Sequence, residues 1–125
     1  MSKSISLRLT LGLLALGMVG CKEARTPGVV VVNGDPERGR REIARLQCGA
    51  CHAVPGVRAA RGSVGPPLEG FARRVYLAGK WPNQPRYLEP WLRDPPAMAP
   101  LTAMPALVSD EQSARDIAAY LYTLE

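Results

Sequence analysis

The sequence predicts an all-α chain, and three observations carry that reading. Apolar residues recur at helical spacing twice, at Gly39, Ile43, Leu46 and Ala50 and again at Ala114, Ile117, Ala118, Leu121 and Leu124. Helix-start signals stand in front of both stripes. No strand alternation is sustained, and 12 Gly and 12 Pro cut the chain into short elements.

The first helix opens at Asp35-Pro36, an N-cap followed by proline at the first helical position, where a missing N–H leaves nothing unpaired. Its stripe faces inward, and Arg38, Arg40, Arg41 and Arg45 read as its solvated face. Residues 53–70 hold four Gly and three Pro, which predicts an irregular loop. A middle helix begins near Pro85 and ends at Asp94, because Pro95-Pro96 disfavours helical backbone just before it. Pro90 inside that segment predicts a kink or a late start. Ser109-Asp110-Glu111-Gln112 reads as a capping box with two acids in the first turn, opening the last helix. Val29 to Val32 has the composition of a short edge strand, with no evident partner.

Residues 1–20 read as a leader of lipoprotein type. Lys3 and Arg8 precede an apolar run of 11 residues from Leu9 to Val19, and Gly20-Cys21 supplies a small residue before a cleavage point. Met18-Val19-Gly20-Cys21 resembles the bacterial lipobox, in which the cysteine is acylated and becomes the first mature residue. The alternative is a retained transmembrane anchor, for which the run falls well short of the ~20 residues a spanning helix needs. Lipidation at Cys21 is the favoured reading. Either way the chain leaves the cytoplasm, on a membrane facing the periplasm or cell exterior. The outer face of the cytoplasmic membrane is preferred, although Lys22 leaves inner against outer membrane open. Residues 21–34 then form a tether, and 35–125 a single domain by length.

The charge balance excludes one large class. Of 16 Lys and Arg, Lys3 and Arg8 fall within the leader, so 14 face 11 acids. No basic run is interleaved with aromatics, and nucleic-acid binding gets no support. With one Phe and two Trp, the 105 residues after the leader make a thin core. A domain of that size is commonly stapled by a cofactor or cross-link.

The staple is legible at Cys48-Gly49-Ala50-Cys51-His52, a C-x-x-C-H run. Two thiols on one turn can add to the two vinyl groups along one edge of a porphyrin. The next residue then sits under the iron, where imidazole binds as proximal ligand. His52 is the chain's single histidine, and it stands at that position. A thioredoxin-type C-x-x-C needs a β-α-β context, and a zinc site needs four ligands where three Cys and one His are offered. One haem c, covalent through Cys48 and Cys51, is the cofactor this run predicts.

Over residues 35–125 the chain resembles the class I cytochrome c family. Gly39 fits the small residue where the first and last helices cross, with Tyr120 and Leu121 facing it. Gly65-Pro66-Pro67-Leu68 is similar to the family's Gly-Pro-x-Leu loop. The resemblance implies that the Pro66 carbonyl accepts the proximal His ring N–H and that Leu68 packs on the haem. Pro100-Leu101-Thr102-Ala103-Met104-Pro105 resembles the distal loop that delivers the axial methionine, which implies His52 and Met104 as the iron ligands. Met98 lacks that Pro-framed setting and reads as haem-edge packing. Stretches such as Val75 to Gly79 and Trp91 to Pro95 resemble membrane-associated cytochromes c that accompany haem–copper oxidases. The implied fold is a class I cytochrome c fold, short helices and long Pro/Gly-rich loops wrapped around one haem.

Arg73, Arg74, Tyr76, Trp81 and Trp91 are candidates for propionate contacts, since Arg matches a carboxylate by its fork geometry and a buried Trp or Tyr needs a polar partner. Trp81, isolated in a Gly/Pro loop, is the preferred one. The function expected is one-electron transfer rather than catalysis. A quinol-oxidising complex or dehydrogenase would be donor and a terminal oxidase acceptor. Two alternatives stay open: a haem protein with a labile sixth ligand that binds peroxide or gases, and the fixed haem subunit of a periplasmic dehydrogenase.

Overall fold

The computed structural model describes residues 28–125; the leader, the acylation candidate Cys21 and the first part of the expected tether lie outside them. Among the described residues the order is α1 (Pro36–Arg45), β1 (Tyr76–Leu77), β2 (Trp81–Pro82), α2 (Pro85–Arg93), α3 (Pro95–Met98) and α4 (Glu111–Leu121). Single 3-10 turns stand at Cys48–Ala50 and Phe71–Arg73. The expected all-α class holds. The addition is a two-residue antiparallel ladder, with Tyr76 opposite Pro82 and Leu77 opposite Trp81. Positive φ at Ala78 and Gly79 turns the chain between the two strands.

Each helix start has a local cause. The Asp35 carboxylate accepts the Arg38 N–H at 2.8 Å, with Pro36 behind it at the first position. The middle helix begins at Pro85, so Pro90 neither delays nor breaks it. Pro90 is exposed, and the helix closes where the Asp94 N–H donates to the Pro90 carbonyl at 2.9 Å. The capping box of the last helix is corrected. The cap is Asp110, whose carboxylate accepts the Ser113 N–H at 2.8 Å, and not Ser109. A carboxylate at a helix N-terminus meets the orphan N–H groups with a full charge, which a hydroxyl cannot. Gln112 turns away from Ser109 and donates to the Asn33 carbonyl and to Asp116.

The core is the crossing of α1 over α4, with α2 packed on α4 beside it. Gly39 is buried at the crossing, and a methyl there would overlap the backbone carbonyl of Asp116. The close approach therefore falls at Asp116–Ile117, one turn before the expected Tyr120 and Leu121. Ile43, Leu88 and Ile117 are the largest fully buried aliphatics. The predicted first stripe ends early. The helix stops at Arg45, Gln47 adopts φ 55°, and Ala50 lies exposed on the following turn. Within the described end of the expected tether, Val31 is buried and Gly34 abuts Arg115 and Ala119, while Val32 and Asn33 are exposed. No strand forms at Val29 to Val32.

Candidate functional site

A cavity of about 520 Å³ opens beside the α1–α4 crossing, and the Cys48-x-x-Cys51-His52 turn forms part of its wall. The turn is positioned by α1. After Arg45 the chain reverses at Gln47 into a 3-10 turn, in which Ala50 N–H bonds back to Gln47 and His52 N–H to Cys48 at 3.0 Å. Cys48, Cys51 and His52 therefore share one short turn. Burial pushes the Cys48 thiol above the usual cysteine range, and the neighbouring Cys51 adds to the shift.

The irregular loop 53–70 is laid against that turn by backbone bonds. Gly62 N–H donates to Gly49 O at 2.9 Å, Gly65 N–H to Cys51 O at 2.8 Å, and Leu68 N–H to Ala53 O at 2.8 Å. The glycines are required by contact. A methyl on Gly65 would run into the His52 imidazole, and one on Gly62 into the backbone of Ala50 and Cys51. The next carbonyl, of Pro66, stands 2.7 Å from His52 Nδ1. With Nδ1 carrying the proton toward that carbonyl, Nε2 is left as the free lone pair, the tautomer a metal needs.

Most of the remaining lining is apolar, from Ile43 of α1, Leu88 and Leu92 of α2, Ile117 and Leu121 of α4, and Leu68, Phe71 and Leu77. Met104 is half-buried and lines the same cavity as His52, its N–H donating to Thr102 Oγ1 at 3.2 Å. Met98, in α3, is not among the lining residues. Of the five propionate candidates, Arg74, Tyr76 and Trp91 line the cavity, while Arg73 and Trp81 do not. Trp81 sits one layer back, opposite Leu77 in the ladder, stacked on Tyr87 at 5.8 Å with Lys80 over its ring. Its Nε1–H is buried without an acceptor among the described residues.

Sequence reasoning missed the clamp that holds the Phe71–Leu77 wall. The Asn83 amide donates to Phe71 O at 2.9 Å and Arg74 O at 3.1 Å, and its oxygen accepts the Tyr122 hydroxyl at 3.1 Å. Burial pushes the Tyr122 hydroxyl well above the ordinary tyrosine range, so it stays a donor. The available signal was a polar Asn inside an otherwise Pro-flanked turn.

Comparison with known proteins agrees with this architecture. No protein-family model matches the chain. It is 34% identical over 89 residues to cytochrome c oxidase subunit 2 of Alkalihalophilus pseudofirmus, a match covering 70% of this chain. The chain spans 25% of that relative's length. Among solved structures it is similar to cytochrome cH from Methylobacterium extorquens, with TM-score 0.55 and 29% identity, covering 72% of this chain and 99% of the other. The fold is the class I cytochrome c fold. That fold implies a covalently bound haem c, and the residues present suit one: a largely apolar cavity, two thiols on one turn, and an imidazole whose far nitrogen is already committed.

Proposed function

We propose that this protein is a one-electron carrier. It would hold haem c through thioethers from Cys48 and Cys51, with His52 and Met104 as the iron ligands and Cys21 as a lipid anchor on a membrane facing the periplasm or cell exterior. The observation that carries this reading is the meeting of Cys48, Cys51, His52 and Met104 on one apolar cavity, with Pro66 O 2.7 Å from His52 Nδ1.

Haem c supplies an Fe(III)/Fe(II) couple when bound. The chain's own residues do the rest. Pro66 fixes the imidazole tautomer and its ring orientation. Met104 offers a soft thioether, which with His raises the reduction potential and leaves no position for oxygen chemistry. Leu68, Leu88 and Leu92 exclude water, which disfavours the more highly charged oxidised state. Trp81, with its unmatched indole N–H, is proposed to donate to a propionate. Similarity to an oxidase subunit supports a terminal oxidase as acceptor, with a quinol-oxidising complex or dehydrogenase as donor. A redox titration of the purified protein followed by its optical spectrum tests the reading. A single reversible one-electron transition with a low-spin spectrum in both states is expected. Ready CO binding by the unmutated ferrous protein would instead favour a labile sixth ligand.

A further inference from the structure

A second groove shares no lining residue with the cavity. It runs between residues 30–33, the first turn of α2 and Arg115 of α4. Its edge is apolar and basic together. Val30 and Val32 are 79% and 73% exposed, with Val29 beside them at 45%. These valines are held outward rather than loose, because Val31 between them is buried and Gln112 donates to the Asn33 carbonyl at 2.8 Å. Arg86 and Arg115 line the groove against a single acid, Glu89. Arg115 is partly exposed and reaches Glu111 only at 3.5 Å through Nη1, while its Nε–H is buried.

We propose that Val29, Val30 and Val32, with Arg86 and Arg115, form the face on which the domain rests on a phospholipid surface. The inference rests on the reading of Cys21 as a lipid anchor. Seven residues lie between Cys21 and Val29, so an acylated Cys21 keeps Val29 within about 28 Å of the bilayer, and Val32 within about 39 Å, even when the chain is fully extended. At that range the second contact is intramolecular, and a surface too weak to bind alone suffices. Valine side chains enter the headgroup boundary, and guanidinium groups donate to phosphate oxygens.

The test uses the full lipidated holoprotein in vesicles of phosphatidylethanolamine with a minor share of phosphatidylglycerol. A photoreactive benzoylphenylalanine replaces Val32 or, for comparison, Arg58 on the 53–70 loop. Both positions are exposed, so the fold survives either replacement. After irradiation, phospholipid adducts at position 32 should exceed those at 58 several-fold, and Arg86→Glu should reduce the adducts at 32. Equal yields at the two positions in membrane-bound protein would overturn the face and leave the anchor standing. Adducts from position 32 to a second copy of the chain would overturn it in favour of self-association. Protein recovered in the soluble fraction before irradiation would overturn the face and the anchor together.

Discussion

Arg38 grips Asp116 side-on across the α1–α4 crossing, with Nε 2.8 Å from Oδ2 and Nη2 3.0 Å from Oδ1. Asp116 is 3% exposed and also accepts the Asp35 N–H at 2.8 Å and the Gln112 amide at 2.9 Å. One carboxylate thus fastens the N-cap of α1, the Arg38 fork and the segment before α1 onto α4. Burial works against its charge, but the Arg38, Asp35 and Gln112 hydrogen bonds outweigh burial and hold its pKa below the usual aspartate range.

A folded-state pKa below the unfolded value means that Asp116 stabilises the fold above about pH 4, and that this contribution disappears as pH falls through the lowered value. Urea unfolding monitored by far-ultraviolet circular dichroism at several pH values should show it. Asp116→Ala should lose about 2–3 kcal/mol at neutral pH, the cost of stranding buried donors. In Asp116→Asn the stability should depend less steeply on acid below about pH 4 than in the parent. An Asn variant with the parent's acid dependence would assign the acid sensitivity elsewhere.

Gly39→Ala separates propensity from packing. Alanine in a helix interior gains roughly 0.5–1 kcal/mol over glycine, so propensity alone predicts a more stable protein. The overlap of a methyl with the Asp116 carbonyl predicts the opposite, since α1 and α4 must move apart. Overpacking costs about 1–3 kcal/mol, and more where backbone is the obstacle. A lowered melting temperature is expected. An unchanged or raised one would mean that the crossing has slack.

The Tyr120 hydroxyl donates to the Pro55 carbonyl at 2.5 Å and ties α4 to the 53–70 loop. Tyr120→Phe should cost about 1 kcal/mol globally. Its larger effect should be local, as faster amide exchange at Val57, Ala60 and Gly62 with little change in α2. Uniform exchange across the domain would show that the bond does not pin the loop.

The sequence disclosed what depends on local pattern. Asp35-Pro36 and the 3.6-residue stripe of α4 were readable because caps and amphipathic faces are short-range devices. The Cys48-x-x-Cys51-His52 run was readable because its residues are contiguous and share one short turn. Interactions over long separations were hidden. Arg38 resembled any other arginine on a solvated face, and only the crossing brings it to Asp116. The capping box misled because Ser109 and Asp110 both fit, and local order does not say which residue the chain turns on. Trp81 reads as a propionate donor from its isolation in a Gly/Pro loop, but its pairing opposite Leu77 and its place outside the cavity lining depend on the ladder, which no local pattern announces.

The fold should depend on its cofactor. Ile43, Leu68, Phe71, Leu77, Ile117 and Leu121 all turn part of their apolar surface to the cavity of about 520 Å³. Unfilled, that space forfeits contacts on every side. Cys48→Ala combined with Cys51→Ala should give a largely disordered or degraded chain, since cofactor binding energy is then folding energy. A cooperative melt with native helical content in that variant would contradict this.

The sixth ligand decides between a carrier and a ligand-binding haem protein. Met104 follows His52 by 52 residues and returns to the same cavity, whereas Met98 on α3 is not among the residues that line it. Pro100 and Pro105 limit the backbone on both sides of Met104, and the Thr102 hydroxyl accepts its N–H at 3.2 Å, so little entropy remains to be lost on ligation. Met104→Ala should therefore abolish the near-infrared band of an iron–methionine bond, lower the reduction potential, and let the ferrous protein take up CO. Met98→Ala should leave all three close to the parent. The reverse result would move the axial role to Met98, which lies in the Pro95–Met98 helix outside the cavity lining, and would overturn the distal-loop assignment.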